Sequence, residues 1–126
     1  MFKLGSASQR NLDSVDPMLA AVVRRAIQIT DVDFSVVEGL RTPERQKQLY
    51  ADGDSWTLDS KHLVGKAVDI YPWVNGATSR NRNHYDRVAL AMQKACAELG
   101  VHLIWGGFWQ DSQGQTGLDC PHWEMA

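Results

Sequence analysis

The sequence predicts a small α+β domain in which a mainly antiparallel sheet is flanked by about three helices. Three observations carry that prediction. At 126 residues the chain has the length of a single domain, 1–126, and is long enough to bury a core without disulfides. Helical and strand patterns are mixed without a regular βαβ period or any internal repeat, which disfavours a doubly wound sheet. The strand candidates are short runs of β-branched and aromatic residues that end at turn residues.

The elements follow in order. Asp16 before Pro17 has the form of an N-cap with proline at the first helical position, and Leu19, Val22, Val23, Ala26 and Ile27 recur at helical spacing. Residues 33 to 40, DFSVVEGL, have strand character and stop at Gly39. Thr42 and Pro43 open a second helix that runs to Gly53. DGDSWTLDS is polar loop, AVDIY is a second strand, and WVNGATSRNRN has turn chemistry throughout and is expected to be a surface loop. A third helix is predicted from about His84 to Leu99, with Val88, Ala91, Met92, Ala95 and Leu99 on one face and Gly100 as its stop. VHLIW is a third strand, GGFWQDSQGQTGLD a Gly-rich loop, and HWEM a last short strand.

Composition narrows the function classes. Apolar residues at 44% and charged residues at 22% are ordinary globular values, and a formal net charge of -2 with no basic run argues against a nucleic-acid binder. Cys96 and Cys120 sit in such different settings that two free thiols are expected. The first residues, MFKLGSASQRNLDSVDP, lack the apolar core of a secretory signal, and no apolar run is long enough to cross a bilayer. The expectation is a soluble monomer made in the cytoplasm.

The stretch SKHLVGKAVDIYP places Asp69 inside an apolar strand, seven residues after His62. A carboxylate taken out of water there needs a counter-ion, donors or a metal. Seven extended residues span roughly 23 Å, whereas two ligands of one metal lie about 3 to 4 Å apart, so the chain must double back. Gly65 can take the positive φ of such a reversal. Beyond it Ala67, Asp69 and Tyr71 share one strand face and Val68 and Ile70 the other, so Asp69 can look into a cleft while its neighbours pack inward. Among four histidines, His122 in DCPHWEM is the strongest third ligand, with Asp119 before it and Glu124 on the same strand face. Asp119 fits, by type and position, the carboxylate that takes a proton from a metal-activated water.

SKHLVGKAVD resembles the S-x-H-x-x-G-x-A-x-D signature, and DCPHWE the D-x-x-H motif, of the zinc D,D-carboxypeptidase and L-alanyl-D-glutamate peptidase family, which shares its fold with the hedgehog signalling domain. The similarity is closest to the phage endolysin branch, and it extends to VVEGLRTPERQKQLYADGDS and IWGGFW, four blocks in the family's order. The resemblance implies a hedgehog/D,D-peptidase-like fold and a zinc ion (Zn2+) held by His62, Asp69 and His122. It also implies Asp119 as general base and then acid, and Arg41 as a group that binds substrate or stabilises the oxyanion. Ser60 falls on the serine of the signature and is a weaker candidate for a supporting or substrate contact. Where endolysin relatives commonly read WGGDW, this chain has Phe108, a change that bears on loop or substrate contacts rather than on the metal.

The activity implied is hydrolysis of the L-alanyl-D-glutamate bond in the peptide stem of bacterial peptidoglycan, lysing the host at the end of a phage cycle. Access to the wall from the cytoplasm would need a pore such as a holin, and no length remains for a separate wall-binding domain. Two alternatives stay open: a D,D-carboxypeptidase that removes terminal D-alanine with the same metal and base, and a non-catalytic zinc-binding interaction module. Simpler roles compete at single positions. Arg41 could pair with Glu38 or Glu44, Asp119 could be a turn residue, and Glu124 could orient a ligand or pair with a cation. His84 and His102 are assigned to helix and strand rather than to metal. Trp105, Trp109 and Trp123 are expected to pack the floor of the cleft, and Cys120 is not expected to be a ligand.

Overall fold

A computed structural model describes residues 1–126. Four helices pack with one five-stranded, wholly antiparallel sheet. In chain order the elements are α1 (Ser6–Asp13), α2 (Pro17–Ile29), β1 (Phe34–Glu38), α3 (Pro43–Ala51), β2 (Ala67–Val74), β3 (Ala77–Thr78), α4 (Arg82–Leu99), β4 (Leu103–Trp105) and β5 (His122–Met125). Short 3₁₀ turns cover Lys61–Val64 and Gly106–Phe108. The sheet order is β1-β2-β5-β4, with β3 paired to the far end of β2. The α+β class with its antiparallel sheet is as the sequence predicts.

The local signals act as expected at most ends. Asp16 Oδ1 accepts the Met18 N–H at 2.8 Å ahead of Pro17, and Thr42 Oγ1 accepts the Arg45 N–H at 3.1 Å ahead of Pro43. Gly100 closes α4 in the left-handed conformation, with φ 66°. The predicted faces of α2 (Leu19, Val22, Val23, Ala26, Ile27) and α4 (Val88, Ala91, Met92, Ala95) are buried against Val36, Val68 and Ile70 of the sheet. Leu99 departs from its predicted face: it lies in the last turn of α4, past the core, and is 40% exposed.

Three other expectations need correction. The segment SASQRNLD forms α1, a fourth helix that helical spacing does not reveal, since only Ser8 and Leu12 are buried. The expected loop after AVDIY is a hairpin: β2 continues through Pro72 to Val74 and turns at Asn75 (φ 55°) and Gly76 (φ 79°) into β3. Asn-Gly supplies the two left-handed residues that a tight hairpin turn requires, and is the signal for it. The aromatic floor also divides. Trp105 and Trp123 stack at 5.6 Å and belong to the core on the other side of the sheet, which leaves Trp109 in the cleft.

Sheet register positions the site. Asp69 on β2 pairs directly with His122 on β5 and with Glu38 on β1, beside a bulge between Val36 and Glu38. Three adjacent strands thus set Glu38, Asp69 and His122 in one row. Alternation puts Ala67, Asp69 and Tyr71 on the open face, while Val68, Ile70 and Trp123 enter the core on the other.

Candidate metal centre

His62 arrives at this row from the turn before β2. Ser60 caps the 3₁₀ turn, its Oγ accepting the His62 N–H at 3.2 Å, and Gly65 ends the turn in the left-handed conformation with φ 69°. The Gly65 carbonyl accepts the Asp16 N–H, and the His62 carbonyl accepts the Arg41 N–H, so the reversal is tied to both flanking segments. The doubling-back that the His62 to Asp69 spacing demands is accomplished here within one turn.

Both imidazoles are fixed by the nitrogen that faces away from the site. His62 Nδ1 lies 2.8 Å from the Gly39 carbonyl, which can only accept, so the proton is on Nδ1 and Nε2 keeps its lone pair. Nε2 is buried and makes no hydrogen bond. His122 Nε2 lies 2.9 Å from Glu124 Oε1, which leaves Nδ1 as the bare nitrogen. These two nitrogens stand 3.3 and 3.4 Å from the same atom, Asp69 Oδ1. Three acceptors within 4.8 Å of one another, one of them a buried orphan, fit a divalent cation, and a set of two imidazoles and a carboxylate suits a first-row metal.

Electrostatics point the same way. Burial pushes the Asp69 carboxyl up, yet contacts with His122 and His62 outweigh it and hold the group well below the usual carboxylate range. Burial likewise opposes charge on His122, but Asp69 and Glu124 raise its imidazole above its ordinary value. Asp119 behaves oppositely to Asp69. Burial and the neighbouring Asp69 charge push its carboxyl up, and its side-chain oxygens accept no hydrogen bond from the protein.

Asp119 is placed by backbone alone. Its N–H donates to the Gly106 carbonyl at 3.1 Å, and its own carbonyl accepts the His122 N–H at 3.1 Å. Gly106 is needed for this approach, because a Cβ there would stand 2.4 Å from the Asp119 carbonyl oxygen.

Arg41 is 9% exposed and heavily engaged. Glu38 takes its Nε and Nη2 in a bidentate pair at 2.7 and 2.8 Å, Gln46 Oε1 accepts from Nη1 at 2.7 Å, and Nη2 lies 3.6 Å from Asp69 Oδ2. The pairing with Glu38 named from the sequence is therefore present, buried rather than on the surface, and it does not remove Arg41 from the site. Glu38, Arg41, His62, Asp69, Asp119 and His122 line one cleft of about 440 Å³, together with Ser60, Tyr71, Trp109 and the 54–57 loop, while Gln46 lies buried behind it. His84 hydrogen-bonds to Ser79, at 2.6 Å, and neither it nor the exposed His102 belongs to the cluster. Cys120 also stands outside it, with its Sγ 3.6 Å from the Gly117 carbonyl, and neither thiol is bridged.

Several participants escape a reading of the sequence. Gln46 sits in the polar run ERQKQ, yet it is 1% exposed and joins Arg41 to Ser55 Oγ and the Thr57 carbonyl. Trp56, alone in a polar loop, meets Trp109 edge-on at 6.4 Å across the cleft. Lys61 precedes His62 and looks like a solvated lysine, but its Nζ lies 3.2 Å from Glu124 Oε2. The one available signal is position: Gln46 and Lys61 lie inside motif blocks, and Trp56 directly follows one.

Comparisons with known proteins point to one family. A family model described as phage L-alanyl-D-glutamate peptidase matches residues 1–126. The L-alanyl-D-glutamate peptidase of Escherichia phage T5 is 37% identical over 115 residues, covering 88% of this chain and 84% of that protein. The crystal structure of the Serratia marcescens L-Ala D-Glu endopeptidase ChiX superposes with a TM-score of 0.88 at 36% identity, over 98% of this chain and 90% of that one. With the whole length matched and the cluster built from the residues of its two motifs, the chain belongs to the phage L-alanyl-D-glutamate peptidase family.

Proposed function

We propose that this chain is a zinc-dependent peptidase that hydrolyses the L-alanyl-D-glutamate bond of the peptidoglycan stem peptide and serves as a phage endolysin. The observation that carries the metal reading is the buried, unpartnered Nε2 of His62, aimed with His122 Nδ1 at Asp69 Oδ1. The bond follows from family membership and from the names of the two relatives. His62, Asp69 and His122 are the zinc ligands. When bound, zinc supplies Lewis-acid polarisation of the scissile carbonyl and lowers the pKa of a water.

The remaining steps belong to the chain's own groups. Asp119, unpaired and with its carboxyl pushed up by burial, takes the proton of the attacking water and returns it to the leaving D-glutamate amine. Glu38 and Gln46 occupy three of the five N–H groups of Arg41. Of the two left, one braces Asp69 and the other is free to donate to the carbonyl oxygen as charge develops there. Ser60 acts by capping the turn that carries His62, and Glu124 by fixing the His122 ring. No helix is long and apolar enough to cross a membrane, and action at the wall after release through a holin-type pore completes the proposal.

The test is mass spectrometry of the peptides released from purified Gram-negative peptidoglycan, with zinc and then with a chelator. Stem peptides with a new D-glutamate N-terminus, lost with the chelator, are expected. Release of D-alanine alone would identify a D,D-carboxypeptidase, and no release with zinc bound would identify an interaction module.

A further inference from the structure

Glu124 uses both carboxylate oxygens: Oε1 faces His122 Nε2 at 2.9 Å, and Oε2 faces Lys61 Nζ at 3.2 Å. Lys61 also donates to the Met125 carbonyl. Its side chain therefore runs from the turn that holds His62 to the strand that holds His122, joining segments sixty residues apart in sequence. From this geometry we infer that Lys61 is a positioning residue of the metal centre, acting through Glu124 to fix the tautomer and orientation of His122.

The physical case rests on what Glu124 would do alone. Its side chain is 17% exposed, so an unpaired carboxylate there is costly and would swing toward water, away from the His122 ring. The Lys61 ammonium holds Oε2 in place and offsets the charge, leaving Oε1 to accept the Nε2–H of His122. His122 Nδ1 is then bare and directed at the site. Register supports the arrangement, since Glu124 is held by neighbours on both sides, pairing with Ala67 on β2 and Ile104 on β4. On the other side of the site Arg41, braced by Glu38, stands against Asp69 Oδ2, so a cation-bearing side chain backs each flank of the ligand set.

This inference rests on the proposed zinc site, and its test reads metal affinity rather than turnover. Zinc dissociation constants would be measured by chelator competition for the full chain and for Lys61→Met, Lys61→Arg, Glu124→Ala and the Lys61→Met/Glu124→Ala double variant. Cobalt(II) absorption would report the ligand geometry. Lys61→Met is expected to weaken zinc binding about tenfold or more, as loss of an outer partner of a ligand does. Lys61→Arg should restore most of it, and Lys61→Met should add little in the Glu124→Ala background. If Lys61→Met does not fold, Lys61→Gln, which keeps a donor for the Met125 carbonyl and drops the charge, reads the same quantity. Unchanged affinity in the charge-removing variant, or losses that simply add in the double variant, would overturn the inference while leaving the zinc site standing. Failure of the unaltered chain to bind zinc would overturn both.

Discussion

The proposed mechanism gives His62 and Asp119 different roles at one centre, and substitution should separate them. His62 Nε2 has no partner in the protein, so His62→Ala is expected to abolish zinc binding and hydrolysis together. Asp119 is not among the three converging residues of the candidate metal centre, so Asp119→Ala should retain zinc while turnover falls by about 10²–10⁴-fold. Metal analysis and kcat on the same preparations decide it, and full activity in Asp119→Ala would remove that residue from the mechanism. The three clustered residues are legible in the sequence because each sits in a short motif, His62 on a local turn and Asp69 and His122 at paired strand positions. Gln46 is not legible, because its burial depends on Arg41 and on a loop that folds back onto it, and neither relation leaves a periodic trace.

At the scale of elements, α1 and the 52–60 loop show what a pattern of apolar residues fails to report. α1 protects the sheet edge with polar groups: Ser8 Oγ accepts the Val36 N–H at 3.0 Å, and Asn11 Nδ2 donates to the Val36 carbonyl at 2.8 Å. A helix that satisfies a strand edge in this way needs only a narrow apolar face, and the sequence accordingly looks like a polar lead-in. Asn11→Ala is expected to cost about 1–2 kcal/mol by leaving that carbonyl short of a donor, as urea unfolding would measure. The loop is tethered through Gln46 Nε2, which donates to Ser55 Oγ at 2.9 Å and to the Thr57 carbonyl. Gln46→Ala should destabilise the fold by about 2 kcal/mol and raise KM more than it lowers kcat, since Trp56 rides on this loop while Asp119 does not. A fall in kcat with KM unchanged would show that Gln46 acts only through its hydrogen bond with Arg41 and that the loop takes no part in binding substrate.

For the molecule as a whole, the question is how far folding depends on the metal. The core between α2, α4 and the inner sheet face contains none of His62, Asp69 and His122, and the last two are strand residues whose positions follow from backbone pairing. The scaffold therefore does not need the cation to fold. The cost of doing without it is local: two imidazole nitrogens and a carboxylate oxygen crowd together. Zinc binding the native state alone should add about 4 kcal/mol at a thousandfold excess over its dissociation constant. For a chain of this size that corresponds to roughly 10–15 °C in Tm. Chelation is thus expected to lower Tm by about that amount while the far-ultraviolet circular dichroism at 25 °C stays unchanged. Loss of the helical signal at 25 °C on chelation would mean instead that the ligand cluster, and not the α2/α4 layer, holds the sheet together.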